Sequence, residues 1–237
     1  MPMVQQVVER IKESRLSEST YCVATDDVRI QNALTSFNTD SKMTDPNQPS
    51  GSDRIWEALS AYTMDDYDWV INIQGDEPFM SPDHLDTLIT AMETYKSDAD
   101  IVTLITPYFP KDAPAKDLND AKTRLANPNM VKALFTDSGK VLYFSRLPVP
   151  CVRDGLDIEH CAYDAGIYFR HLGVYAYKVS ALKKFVEAPA AKIEDLEKLE
   201  QLRALSLGMH IYAGVVSSAP VGVDTPEDLE RLLQSGH

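Results

Sequence analysis

The sequence predicts an α/β protein built on a doubly wound, mostly parallel sheet with a small antiparallel insertion. Three observations lead there. Short apolar runs alternate with segments whose apolar residues recur at helical spacing; Trp69, Val70, Ile71 and Ile73 run straight into Gln74, Gly75, Asp76, Glu77 and Pro78; and one stretch, 131–145, reads as two strands about a tight turn. Alternating β and α segments place strands side by side with helices on both faces. An apolar run without polar alternation marks a strand buried on both faces. In open sheets of this kind ligands gather where such strands end.

Val4, Val7, Val8 and Ile11 give the first helix its apolar face. TYCVATDD at 20–27 reads as a short buried strand delivering Asp26 and Asp27, and a helix follows from Asp27 to Phe37. The polar loop TDPNQPSGSDR at 44–54 leads to a helix carrying Ile55, Leu59 and Tyr62, with Ser52 or Asp53 as the expected N-cap. After the strand at 69–74 come a helix from Pro82 to Tyr95, with Leu85, Leu88, Ile89 and Met92 on one face, and the strand IVTLIT at 101–106. The hairpin turns at Asp137, Ser138 and Gly139. A strand at 173–177, helices around 179–187 and 193–207, and a strand at 210–216 follow. A last helix is expected from Pro226 to Gln234, where Pro226 suits the first turn and Glu227 and Asp228 the positive end of the dipole.

At 237 residues and 44% hydrophobic content, the chain is expected to form a single domain over 1–237, with the antiparallel insertion within 131–177. The net charge of −13 argues against a nucleic-acid partner, because no basic stripe exists to displace counterions. The same surplus would repel an anionic nucleotide unless a divalent ion and a local basic pocket offset it. Cys22, Cys151 and Cys161 form no CxxC pair and leave an odd thiol, so neither zinc nor a disulfide framework is indicated, and a cytoplasmic setting is expected. No apolar run is long enough to span a membrane, and the first fifteen residues do not read as a signal peptide. Asp76 and Asp224 each follow an apolar stretch; two such acids suit one hard cation whose shell a phosphate-bearing substrate completes. Each acid also has a plainer reading as a turn residue or helix N-cap.

INIQGDEP at 71–78, PSGSDR at 49–54, ANPNMVK at 126–132, VLYFSR at 141–146, RHLGVYAY at 170–177, LEKLEQLR at 196–203 and VGVDTPEDLE at 221–230 occur in one order along the chain. Together they resemble the 3-deoxy-manno-octulosonate (Kdo) cytidylyltransferases of lipopolysaccharide synthesis, over nearly the whole sequence. The resemblance implies a nucleotidyltransferase version of the Rossmann-like fold, transfer from CTP to Kdo with release of pyrophosphate, Mg²⁺ as cofactor and a homodimer, with 131–177 as the dimerisation region. It implies metal and catalytic roles for Asp76 and Asp224. Ser50, Ser52 and Arg54 would line the nucleotide side, and Lys132 would approach the phosphates. Gln74, Arg146, His171, Tyr175, Glu200 and Gln201 would close around the acidic eight-carbon sugar: a cation for its carboxylate and hydrogen-bonding groups for its hydroxyls. The bland alternatives are a solvated helix-face cation for Arg54, a satisfied structural group for His171, and a solvated helix face for Glu200 and Gln201.

The family places a buried strand and a loop rich in Arg, Gly and Lys ahead of the helix that opens this sequence. Without them the strand at 21–24 is expected to present an open edge and turnover to be nearly abolished, but the intact site motifs favour a native form that carries the segment and is active. Two other functions fit parts of the pattern: an inactive remnant that binds sugar or dimerises with a complete paralogue, and a metal-dependent glycosyltransferase using a related fold. The single acid of QGDEP fits the glycosyltransferase less well.

Overall fold

A computed structural model of the chain describes residues 1–63, 68–109, 115–153 and 167–220, with 115–120 as backbone. Asp224, the expected helix at 226–234 and Cys161 lie outside the described residues.

The N-terminal part forms α1 (Met3–Lys12), β1 (Val23–Thr25), α2 (Val28–Thr35), β2 (Ser41–Met43) and α3 (Gly51–Leu59). β1 and β2 pair in parallel as a two-stranded sheet, and among the described residues the other edge of β1 carries no strand. Asp27 caps α2 by accepting from the Arg29 N–H. The cap of α3 is Ser50 rather than Ser52 or Asp53: Ser50 is extended and its hydroxyl oxygen accepts from the Asp53 N–H, so the helix starts earlier and Ser52 becomes a buried first-turn residue.

The main sheet contains β3 (Trp69–Asn72), β4 (Ile101–Pro107), β5 (Lys132–Phe135), β6 (Val141–Ser145), β7 (Phe169–Lys178) and β8 (Ile211–Val215). Its order is β6-β5-β7-β4-β8, with β3 also on β7. β4 and β8 pair in parallel, and β3, β4 and β5 are all antiparallel to β7. β3, β4, β5 and β8 therefore run in one direction and only β7 and β6 oppose them. The expected parallel-dominated architecture holds in strand direction, with one reversed strand at its centre. The β5–β6 hairpin forms as expected, its turn closed by Gly139 at φ 83, where a side chain would be strained and would meet Tyr95. It is not a separate layer: β5 extends the main sheet along β7.

β7 is longer than its apolar core predicts, and this decides where the site lies. Residues Tyr175–Lys178 pair with β3, whereas Phe169 and Arg170 pair with β5, so the two strands follow one another along the same edge. The edge between them, opposite His171 to Val174, is where β3 has ended and β5 has only begun.

The two faces of the sheet carry separate cores. Ile101 and Ile105 of β4 pack with Phe144, Phe169, Tyr177, Leu182, Phe185, Leu199 and Leu202. Val102 and Leu104 pack with Leu172, Val174, Ala176 and with Leu85, Leu88 and Ala91 of α4 (Pro82–Thr94). α4 is set by Ser81, which forms a capping box with His84, and by Pro82 at its start. α5 (Ala115–Ala126) precedes β5, and Leu125 seals a third cluster with Tyr108, Phe109 and Tyr168. Over the first face lie α6 (Val179–Val186), α7 (Lys192–Glu197) and α8 (Gln201–Ser206). Side chains such as Phe144 and Leu202 are fully buried, each worth about 1.5–3 kcal/mol of apolar transfer.

The helix expected over 193–207 is broken. Lys198 adopts the left-handed conformation at φ 50 and ends α7, and α8 starts again after Glu200. No glycine announces this break. It is held instead by side chains that bind the freed carbonyls, described next.

Candidate active site

β3 ends with Asn72, and the chain then makes a turn in which the Glu77 N–H donates to the Gln74 carbonyl, leaving Gly75 and Asp76 exposed at its tip. Asn72, opposite Tyr175, is buried, and the Gln74 amide donates to its side-chain oxygen at 3.4 Å. Gln74 lies against β7 at Gly173, where an added Cβ would stand 3.9 Å from its Cγ. His171 and Tyr175 flank that glycine on the same face, with ring centroids 5.2 Å apart.

His171 is buried, edge-on to Phe144 at 4.8 Å. Its Nε2 lies 3.0 Å from the Thr103 hydroxyl, and Nδ1 has no hydrogen bond among the described residues. Burial, reinforced by the Arg170 charge, pushes the imidazole down to about 3, so it is neutral at physiological pH. Burial likewise raises the Tyr175 phenol well above its ordinary range, with Tyr177 and Glu200 adding to the effect. Tyr175 is therefore a neutral hydrogen-bonding group whose surroundings include the Glu200 carboxylate.

Glu200 and Gln201 stand at the start of α8, which answers how neighbouring helical residues can serve one ligand: the helix begins there. Gln201 is buried, and Glu200 Oε1 is buried without a hydrogen-bond partner among the described residues. A carboxylate oxygen withdrawn from water and left unbonded is costly in a protein that has no use for it.

Arg146 follows β6 and organises the break before α8. Its guanidinium donates to the carbonyls of Glu197, Pro128 and Lys198, and its main-chain N–H donates to the Glu197 carboxylate at 2.9 Å. Three of its five N–H groups are thus engaged with main chain, and two remain for an anion. Glu194 and Arg203 form a bidentate pair, 2.6 and 2.9 Å, that bridges α7 and α8 from the buried side. Among the expected sugar-side residues, Gln74, His171 and Tyr175 gather on one face of the sheet, Glu200 is close enough to Tyr175 to act on its phenol, Gln201 follows Glu200 at the start of α8, and Arg146 braces the helix break.

The expected nucleotide side is less gathered. Ser50 uses its hydroxyl oxygen as the α3 cap, and Ser52 is buried beside Tyr177. Arg54 reaches away, donating to Thr44 at 2.6 Å and to Asp26 at 2.9 Å, and so ties α3 to the ends of β1 and β2. Lys132 sits on the opposite face from Ala133 and the first core, with Nζ 6.0 Å from the Tyr108 ring centre. It is fully buried and its ammonium donates to the carbonyls of Asn127 and Arg146, each at 2.8 Å, so the geometry turns it toward main chain and not toward a ligand. Burial first, then the Arg146 charge, push it down to about 8.

Asp76 is exposed and makes no hydrogen bond or ion pair among the described residues, leaving its hard carboxylate oxygens open to a cation. Among the described residues no three His, Cys, Asp or Glu side chains cluster as a metal site, so Asp76 would need ligands from Asp224 or from a substrate. Two participants escaped sequence reasoning. Thr103 had a signal, a hydroxyl in the middle of the otherwise apolar run IVTLIT; Glu197, which anchors Arg146, looked like any charge on a polar helix.

The cytidylyltransferase family matches residues 1–211. The 3-deoxy-manno-octulosonate cytidylyltransferase of Marinobacter nauticus is 41% identical over 98% of this chain and 85% of its own length. That of Parabacteroides distasonis is 36% identical over 98% and 86%. An 8-amino-3,8-dideoxy-manno-octulosonate cytidylyltransferase from Shewanella pealeana is 38% identical over 96% and 85%. Among solved structures, a CMP:2-keto-3-deoxy-manno-octonic acid synthetase complexed with CTP superposes with a TM-score of 0.81 at 31% identity, covering 99% of this chain and 88% of that one. The chain belongs to the cytidylyltransferase family, alongside the 3-deoxy-manno-octulosonate cytidylyltransferases.

Proposed function

We propose that the protein transfers the cytidylyl group of CTP to 3-deoxy-manno-octulosonate, releasing pyrophosphate and giving CMP-Kdo for lipopolysaccharide synthesis. The observation that carries the reading is the convergence of Gln74, His171 and Tyr175 on one face with the buried, unbonded Glu200 oxygen. A polyhydroxylated acid supplies what that cluster lacks. Its hydroxyls can donate to Glu200 and to the neutral imidazole, and its carboxylate can accept from the free N–H groups of Arg146.

The reaction forms a bond from the sugar's anomeric oxygen to the α-phosphorus of CTP and breaks the bond to the β-phosphate. No covalent enzyme intermediate is needed, so the protein's task is to align the attacking oxygen and neutralise developing charge. The sugar cluster is carried by strands of the main sheet and the start of α8, so the acceptor is held by rigid elements. In this reading Asp76, at the tip of the turn after β3, would lie between acceptor and nucleotide. With Asp224 it would hold a Mg²⁺ ion, which supplies charge neutralisation on the phosphates when bound. The same reading includes a cytoplasmic homodimer. Exposed Leu142 and Leu147, on and just after the edge strand β6, are apolar surface that a second copy would cover within the 131–177 region.

The test is pyrophosphate release from CTP, Kdo and Mg²⁺ by this chain, with Asp76→Ala as control. Release by the wild type that is lost in the variant supports the reading, and silence from the folded chain overturns it. The 8-amino analogue run in parallel decides which sugar the pocket prefers, since a relative of comparable identity is named for that substrate.

A further inference from the structure

We infer that Thr103 is a positioning residue that fixes His171 in its neutral Nε2–H tautomer, leaving Nδ1 as an acceptor for a sugar hydroxyl. The last clause rests on the proposed sugar site; the tautomer does not.

The Thr103 hydroxyl has three neighbours: the Val174 carbonyl at 2.7 Å, the Leu172 carbonyl at 3.3 Å and His171 Nε2 at 3.0 Å. A hydroxyl has one hydrogen, and both carbonyls can only accept. If that hydrogen pointed at the imidazole, the Val174 oxygen would face a lone pair at 2.7 Å in a buried site, with nothing between them. The short contact therefore identifies the Val174 carbonyl as the acceptor, and the hydroxyl oxygen must take its own hydrogen bond from Nε2–H. Since His171 is buried between Phe144 and Tyr175 and bonds no carboxylate, it carries one ring proton only. With that proton on Nε2, the lone pair is on Nδ1, the nitrogen without a partner among the described residues.

The local backbone explains why threonine stands here. The β4–β7 register shifts between Thr103 and Leu104, which face Tyr175 and Leu172, so Gly173 and Val174 form a bulge. Bulges of this kind redirect side chains beside functional sites. The Thr103 hydroxyl fills the gap the bulge opens, donating to the Val174 carbonyl and lying 3.3 Å from that of Leu172 on the other side of Gly173, the residue against which Gln74 packs. One side chain thus fixes the bulge and the protonation pattern of the histidine next to it. Serine could do both, and isosteric valine could do neither.

The experiment compares wild type, Thr103→Ser and Thr103→Val. Two-bond ¹H–¹⁵N correlation spectra of ligand-free protein with labelled histidine read the tautomer without any substrate. Wild type and serine variant are expected to show Nε2–H, and the valine variant a shift toward Nδ1–H. In steady-state kinetics the valine variant is expected to raise KM for the sugar about tenfold, with KM for CTP unchanged and the serine variant restoring the wild-type value. A wild-type spectrum showing Nδ1–H or imidazolium at neutral pH overturns the inference, and so does a valine variant with the tautomer unchanged. Should the valine variant fail to fold, the wild-type and serine spectra still decide. Absence of cytidylyl transfer by the wild type would sink the functional reading alone, because the spectra stand without it.

Discussion

Replacing Arg203 with methionine should cost far more stability than a charge in a helix normally would. The guanidinium binds Glu194 in bidentate fashion at 2.6 and 2.9 Å, and the two side chains are only 10% and 11% exposed. It also lies over the Phe185 ring at 4.7 Å, while Glu194 accepts from the Ala191 N–H. Without Arg203 a buried carboxylate keeps one hydrogen bond and only the weaker influence of the Lys198 charge, a change worth about 3–5 kcal/mol. At about 2–4 °C per kcal/mol for a chain of this size, the midpoint should fall by roughly 6–20 °C. Thermal and urea unfolding followed by circular dichroism give the measurement. The double variant Glu194→Met, Arg203→Met should recover most of the loss, because the stranded charge goes with its partner. Burial raises the Glu194 carboxyl, but the Arg203 and Ala191 hydrogen bonds outweigh it and hold the group below its ordinary value of 4.5. Its contribution is therefore complete above that value and is lost as pH falls through the depressed one, so wild type and single variant should converge in acid. A single variant within about 1 kcal/mol of wild type at neutral pH would place the pair with ordinary surface bridges and refute the argument. Because the pair joins α7 to α8, KM for the sugar should rise in the same variant.

The remaining expectations concern individual side chains. His171 is held near 3 against an ordinary 6.5, so the unfolded chain takes up a proton that the folded one refuses. Stability should be full above 6.5 and fall by about 1.4 kcal/mol per pH unit below it, a slope that His171→Gln should flatten in unfolding curves between pH 6.5 and 5. Equal slopes in both proteins would dismiss that account. Lys198→Gly removes a left-handed non-glycine residue at the helix break and should stabilise the fold by about 0.5–1 kcal/mol, seen as a raised midpoint. Lys132→Met strands two carbonyls and should cost about 2–4 kcal/mol in urea unfolding, with KM for CTP little changed; a selective rise in that KM would return Lys132 to the phosphates.

Much of the fold was legible because its signals are local. Pro82 started α4, Gly139 closed the hairpin, and the apolar runs at 69–73 and 101–106 became β3 and β4, both paired to β7. The misread elements depend on partners far along the chain. α3 starts after Ser50 because its cap geometry, not its composition, selects the first turn. Residues 193–207 look like one helix by periodicity, and they break only because Arg146, some fifty positions earlier, gathers the carbonyls of Glu197 and Lys198. The site residues divide along the same line. Glu200 and Gln201 were legible as a motif, but their place at the start of a helix came only with the break. Lys132 followed a turn that looked suited to phosphate, yet strand alternation puts it on the opposite face.

The break before α8 and the split along β7 have a common consequence for how this site can work. A ligand bound between His171, Tyr175 and Glu200 touches a reversed central strand and the first residues of a short helix, and both are fixed by buried polar contacts: Thr103 to the bulge, and Glu194 with Arg203 across the helix break. Apolar packing alone would allow β7 to slip by a residue, which would exchange the faces of His171 and Leu172. The bulge prevents this, because a slipped strand would bring the Thr103 hydroxyl opposite different carbonyls and leave those of Leu172 and Val174 without it. The polar groups inside this protein thus hold the reactive surface in register, and their loss should appear first in affinity for the acceptor sugar and only then in loss of the fold.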